Sequence, residues 1–360
     1  MNANISWFDS HATCKGRWRW ILAVLPLWVA GCQNPRLTEL ADLPCWPPPP
    51  GQPCVRLVRS AEAPPDFGVP PKLWQKTLNL LAGGNRGTEP WINPFGVCMA
   101  GDSTLYFTDT TRGEVVCVDR TKPALWRWNQ IGTNRLVSPV GIACVSGLVY
   151  IADSGLGRVF IATPQGQPRG ELKHPFQRPV AVAAWCGQLY VVDSKACRVQ
   201  VFTETGKWIR DIGGGGSGIG EFNRPTHVAV DPRGMVYVTD SLNSRVQVFD
   251  DEGRFIRTIG SAGDSSGHFG RPKGVAVDGH GHVFVVDAIF GVVQIFDKSG
   301  TLLLDFGEPG EAQGQFWLPT GIAVNDSGLV VVADSYNHRL QLFQMLSPGL
   351  GADMKEEGQP

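Results

Sequence analysis

The chain has 360 residues and a formal net charge of −1; 42% of its residues are hydrophobic, and 44 are glycine and 27 proline. That apolar content supports a sizeable core and excludes an intrinsically disordered chain, while so much glycine and proline favours many turns over long helices. Acid and base are balanced and the body has no basic block, so a broad nucleic-acid footprint is excluded and no nucleic-acid partner is expected.

At the N-terminus, Lys15, Arg17 and Arg19 precede an apolar run, Ile21 to Ala30, which ends in Val29-Ala30-Gly31-Cys32. A charged start, a ten-residue apolar stretch and small residues before a cut describe an export signal over 1–31. The run is too short to span a bilayer as a mature helix. Its ending resembles the lipobox of bacterial lipoproteins. The resemblance implies that Cys32 becomes the acylated first residue, anchoring the protein to a membrane. Gln33 follows where an aspartate would favour inner-membrane retention, so the same resemblance points to the outer membrane. An ordinary signal peptide, cut nearby with Cys32 unmodified, is the alternative.

Residues 32–71 are dense in proline, Pro47 to Pro50 above all, and read as a stiff extended tether. Cys45 and Cys54 lie in this stretch and are the one pair placed for a disulfide; whether they bridge stays open. Cys98, Cys117, Cys144, Cys186 and Cys197 lack CxxC spacing and make a poor zinc site.

From residue 94 on, a unit recurs six times. It opens on Pro94, Pro139, Pro179, Pro225, Pro272 and Pro319, at spacings of 45, 40, 46, 47 and 47 residues. Each unit has a second run ending in aspartate (Asp109, Asp153, Asp193, Asp240, Asp287, Asp334) and a third run, clearest as Arg245 to Phe249. The runs are β-branched, alternating and separated by turn residues, as in strands. Four short strands per 40–47 residues form a propeller blade. Three residues before each proline stands a large apolar group (Trp91, Leu136, Phe176, Phe222, Phe269, Phe316), the expected wedge between blades. The sixth copy stops after three strands, and Lys72 to Leu81 is expected to supply its fourth.

The run Pro319 to Phe343, with Asp334-Ser335-Tyr336-Asn337-His338-Arg339, resembles the NHL repeat. The resemblance implies an all-β fold, a six-bladed β-propeller over 72–346 with an N-terminal strand closing the last blade, followed by a polar tail, 347–360, expected to be disordered. It says little about function, because propellers host many activities.

Six equivalent aspartates cannot all be one catalytic acid and read as turn-holding acceptors. Arg158, Arg198, Arg245 and Arg339 read as their partners. Departures from the repeat are the better site candidates. His227 stands where other copies have Gly or Ala; Ile289 and Phe290 make one loop apolar; Lys273, Tyr336 and His338 should open onto the same face. These six are the candidate ligand-binding residues, with no catalytic residue, metal or cofactor expected. Propeller lyases that amidate peptides hold zinc with histidines at the channel mouth, and gluconolactonase-type enzymes hold a metal with channel carboxylates. Here only His227 sits at the mouth, and Asp231 and Asp278 fall at the far, turn end. The leading expectation is a lipid-anchored envelope module that binds a protein, peptide or glycan. A metal-dependent hydrolase or lyase is the alternative. The glycine-rich run Gly213 to Gly220 lacks the Lys-Ser/Thr of a phosphate loop and reads as a flexible connection between blades.

Overall fold

A computed structural model describes residues 43–48, 50–52, 54–70 and 89–346. Five four-stranded antiparallel sheets follow one another along the chain, and a sixth is assembled from both ends of the described region. In blade 4, for example, the strands are Pro225–Val230, Val236–Asp240, Arg245–Phe249 and Phe255–Ile259, paired in chain order. Each of the first five blades opens on its proline, and the first strand is the free inner edge of its sheet. Proline is tolerated there because an edge position needs no N–H for the ladder.

First strands of successive blades pack on one another around the axis, and the sixth packs on the first. The glycine two residues after the proline is what permits this approach. A methyl group added at Gly141 would lie 2.6 Å from both the Ala181 Cα and the Val180 carbonyl oxygen of the next blade. Six apolar clusters fill the six blade interfaces, and each contains one wedge: Leu136, Phe176, Phe222, Phe269, Phe316 and Trp91 are all buried. A blade alone leaves both faces apolar; the ring buries them.

The sixth blade corrects one boundary. Its first three strands are Ile322–Val324, Leu329–Asp334 and Arg339–Met345, and its fourth is Val55–Ala61, antiparallel to Arg339–Met345. Residues 72–81, expected in that role, lie outside the described residues. Val55, Leu57 and Ala61 point into the core, with a bulge near Val58 that keeps them in phase. Cys45–Trp46 adds a fifth strand, and Trp46 packs on Phe306 and Phe343 at centroid distances of 5.7 and 5.8 Å. Pro64–Phe67 forms a short turn that buries Phe67 between blades 6 and 1. Much of the stretch read as a tether is therefore propeller. Cys45 and Cys54 are free thiols: Cys45 faces Arg56 across the hairpin, and the Cys54 N–H donates to the Trp46 carbonyl.

The glycine-rich connection between blades 3 and 4 is pinned rather than loose. The Gly220 N–H donates to the Gln247 side chain at 2.9 Å, as Gly267 does to Gln294 (2.7 Å) and Gly314 to Gln341 (2.9 Å). The export signal, Cys32 and residues 347–360 lie outside the described residues.

Candidate functional site

Alternation of strand direction puts the starts of all first strands, the loops between second and third strands and the connections between blades on one face. The six aspartates end the second strands on this face, and all are buried. Each is used up in holding its loop. Asp153 accepts N–H bonds from Val137, Ser138, Gly155 and Leu156 at 2.8–3.1 Å, and Asp287 accepts from Gly270, Arg271, Ile289 and Phe290. Asp240 and Asp334 add an arginine each, Arg245 at 2.8 Å and Arg339 at 2.7 Å. Burial raises the Asp334 carboxyl, against the lowering pull of Asn337, the Trp317 amide and Arg339. Arg198 instead pairs with Asp211 of its own blade, and Arg158 with Glu171. Asp231 and Asp278 hold turns on the opposite face through the amides of Arg233, Met235, His280 and His282.

The axial channel opens on the loop face as a cavity of about 340 Å³. Much of its wall comes from two repeat positions, with Ser194, Ser241 and Leu242 added from the second-to-third strand loops. The residue after the proline contributes Phe95, Val140, Val180, Thr226 and Lys273; the residue before it contributes Arg178, Arg224 and Arg271. His227 lines it too, enclosed between blades 4 and 5. Its Nδ1 is sealed from solvent, as is the Ser241 Oγ. Burial, helped by the Lys273 charge, lowers the His227 pKa to about 4, so the ring is neutral at physiological pH. Lys273 is itself lowered, by burial first and then by Arg271 and Arg178.

Of the six candidates, only His227 and Lys273 meet in this cavity. Tyr336 and His338 line a separate groove with Trp91, Trp317 and Glu311. His338 occupies a left-handed loop position, filled by glycine in three sibling loops, and its Nδ1 bonds to the Ile92 carbonyl of blade 1. Its role is to tie blade 6 to blade 1. Ile289 stands out on the rim at 55% exposure, while Phe290 lies over Gly270. Among the described residues no three His, Cys, Asp or Glu side chains converge as a metal site.

Two features escaped the sequence reading. Arg-Pro opens three successive copies (Arg178, Arg224, Arg271) where the others have Asn93, Ser138 and Leu318; that asymmetry was available. The second is a set of exposed apolar side chains on this face. Leu242, Ile289 and Tyr336 share one loop position in blades 4 to 6; Ile92, Val137 and Trp317 share another in blades 1, 2 and 6; Leu156 adds a seventh. Trp317 and Tyr336 stack at 6.0 Å.

With this architecture in view, known families can be compared. The NHL repeat matches residues 222–249 and 316–343, and a 6-bladed beta-propeller family matches residues 173–235. The chain carries NHL repeats and folds as a six-bladed β-propeller. Solved structures similar to the propeller include a streptogramin B lyase, 12% identical, TM-score 0.54, covering 71% of this chain and 95% of that one. Virginiamycin B lyase from Staphylococcus aureus is 13% identical, TM-score 0.53, covering 71% and 96%. A protein of unknown function from Bacteroides thetaiotaomicron is 17% identical, TM-score 0.56, covering 71% and 70%. At these identities the likeness is one of fold. No curated protein matches the sequence.

Proposed function

We propose that this propeller is a binding module of the bacterial envelope, anchored through a lipid on Cys32 and presenting its loop face to a partner. A protein or peptide segment is the first choice of ligand. The observation that carries the reading is the set of exposed apolar and aromatic side chains on the loop face, contributed by five blades. Such groups, rimmed by polar loops, are what interfaces are enriched in. A rigid ring holding variable loops suits recognition. The hydrolase or lyase alternative has less support, since the face aspartates are committed to main-chain amides and His227 is the one histidine at the mouth.

The test is capture from the envelope fraction by wild type and by an Ile289→Ser, Trp317→Ser double variant. Both side chains are about half-exposed and lie outside the six core clusters, so melting should change little while capture drops at least about tenfold. Undiminished capture would move the interface elsewhere. A glycan rather than a protein in the captured material would keep the face and change the ligand class. The anchor is checked separately: labelled palmitate should enter wild type and not Cys32→Ser.

A further inference from the structure

The axial cavity is an unneutralised basic pocket. Arg178, Arg224, Arg271 and Lys273 all line it, and no carboxylate does. Among the described residues none of the four makes a side-chain hydrogen bond or ion pair within the chain. Eight other arginines, from Arg112 to Arg339, are paired with carboxylates. The aspartates beneath the three cavity arginines are held by main-chain amides and form no ion pair with those guanidinium groups: Asp193 accepts the Arg178 main-chain N–H at 2.9 Å, Asp240 the Asn223 N–H at 2.6 Å and Asp287 those of Gly270 and Arg271. Three successive blades thus aim like charges at one space, at a cost in mutual repulsion that a bound anion would relieve. His227 and Ser241 also line this space. The rest of the wall is mainly apolar, Phe95, Val140, Val180 and Leu242, with Ser194 and Thr226 between them.

We infer that this cavity binds a small organic phosphate, its oxyanion held by the arginines of blades 3 to 5 and its apolar body resting on Phe95, Val140 and Val180. Guanidinium forks match the oxygens of a phosphate, and a doubly charged group answers several cations better than one carboxylate does. The volume of about 340 Å³ suits a ring-sized body with one phosphate. Lys273 is lowered by burial first, and the neighbouring Arg271 and Arg178 add to that shift. The inference rests on reading the loop face as the binding face, and narrows what one part of that face takes.

Calorimetry on the full chain tests it with phenyl phosphate, inorganic pyrophosphate and, as a singly charged comparison, benzoate. Phenyl phosphate and pyrophosphate should bind, benzoate at least about tenfold more weakly. Arg178→Gln, Arg224→Gln and Arg271→Gln should each weaken phosphate binding about tenfold or more, and Arg233→Gln on the opposite face should not. Because the three cavity arginines are exposed and unbonded, the variants should keep wild-type melting; pyrophosphate should raise the melting temperature of wild type and not of a triple variant. No binding of either phosphate, benzoate binding as tightly as phenyl phosphate, or phosphate binding unchanged in the arginine variants would each overturn it. Any of these, with partner capture still sensitive to Ile289 and Trp317, would sink the phosphate site and leave the binding face standing.

Discussion

Leu57 offers a test of how the ring is latched. It is fully buried in the strand Val55–Ala61, packed in the cluster that holds Phe284, Phe306, Phe316 and Phe343 between blades 5 and 6. Replacing it with alanine removes apolar surface and leaves a hole that a rigid interface of aromatic rings cannot close. Such substitutions cost about 2–5 kcal/mol, and for a domain of this size about 3 kcal/mol lowers the melting temperature by roughly 6–12 °C. Set against a total stability of about 5–15 kcal/mol, that is a large fraction. Urea unfolding followed by tryptophan fluorescence would show a lower midpoint with the slope preserved, since one cooperative unit is weakened without being divided. A loss below about 0.5 kcal/mol, the range of ordinary surface changes, would mean that this strand is not part of the closed ring.

Other consequences follow from the same geometry. Gly141→Ala should destabilise by about 1–3 kcal/mol because its methyl group meets the backbone of the next blade; Gly170→Ala, on an outer strand with no atom within 4 Å, should not, and equal melting of the two would refute the close approach at the axis. His227 makes a pH prediction. Its folded pKa, about 4, lies below the unfolded value, so as pH falls below about 6.5 the unfolded chain takes up the proton first. Stability contributed by the neutral ring is therefore full above that pH and lost between 6.5 and 4, by about 3 kcal/mol in all. His227→Gln should flatten that part of the stability profile, and an unchanged slope would show that the ring is not enclosed as described.

The fold was legible because each blade repeats its own instructions: a proline where the inner edge needs no N–H, an aspartate where a loop needs an acceptor, a large apolar wedge three residues before the proline. Six copies average out local ambiguity. The closing strand was not legible, since Val55–Ala61 stands alone between proline-rich stretches and its partner, Arg339–Met345, lies almost 300 residues away. The candidate site was read in part. His227 stood out as a departure at a repeat position and shares the cavity with Lys273, which was expected on the same face, whereas Tyr336 and His338 line another groove with Trp91 of blade 1. The arginines were overlooked for a different reason: an arginine before a proline looks like ordinary loop polarity until the ring brings three of them together.

The most direct measurement of the central claim is site-specific photo-crosslinking in intact cells, with a photoreactive phenylalanine placed at Leu242, Ile289 or Trp317 on the loop face and at Trp208 or Ile256 on outer strands. All five are exposed apolar positions, so hydrophobicity is matched and only the face differs. A binding module that works through its loop face gives one discrete adduct from the first three sites and none from the last two. Adducts from Trp208 or Ile256 alone would contradict the account.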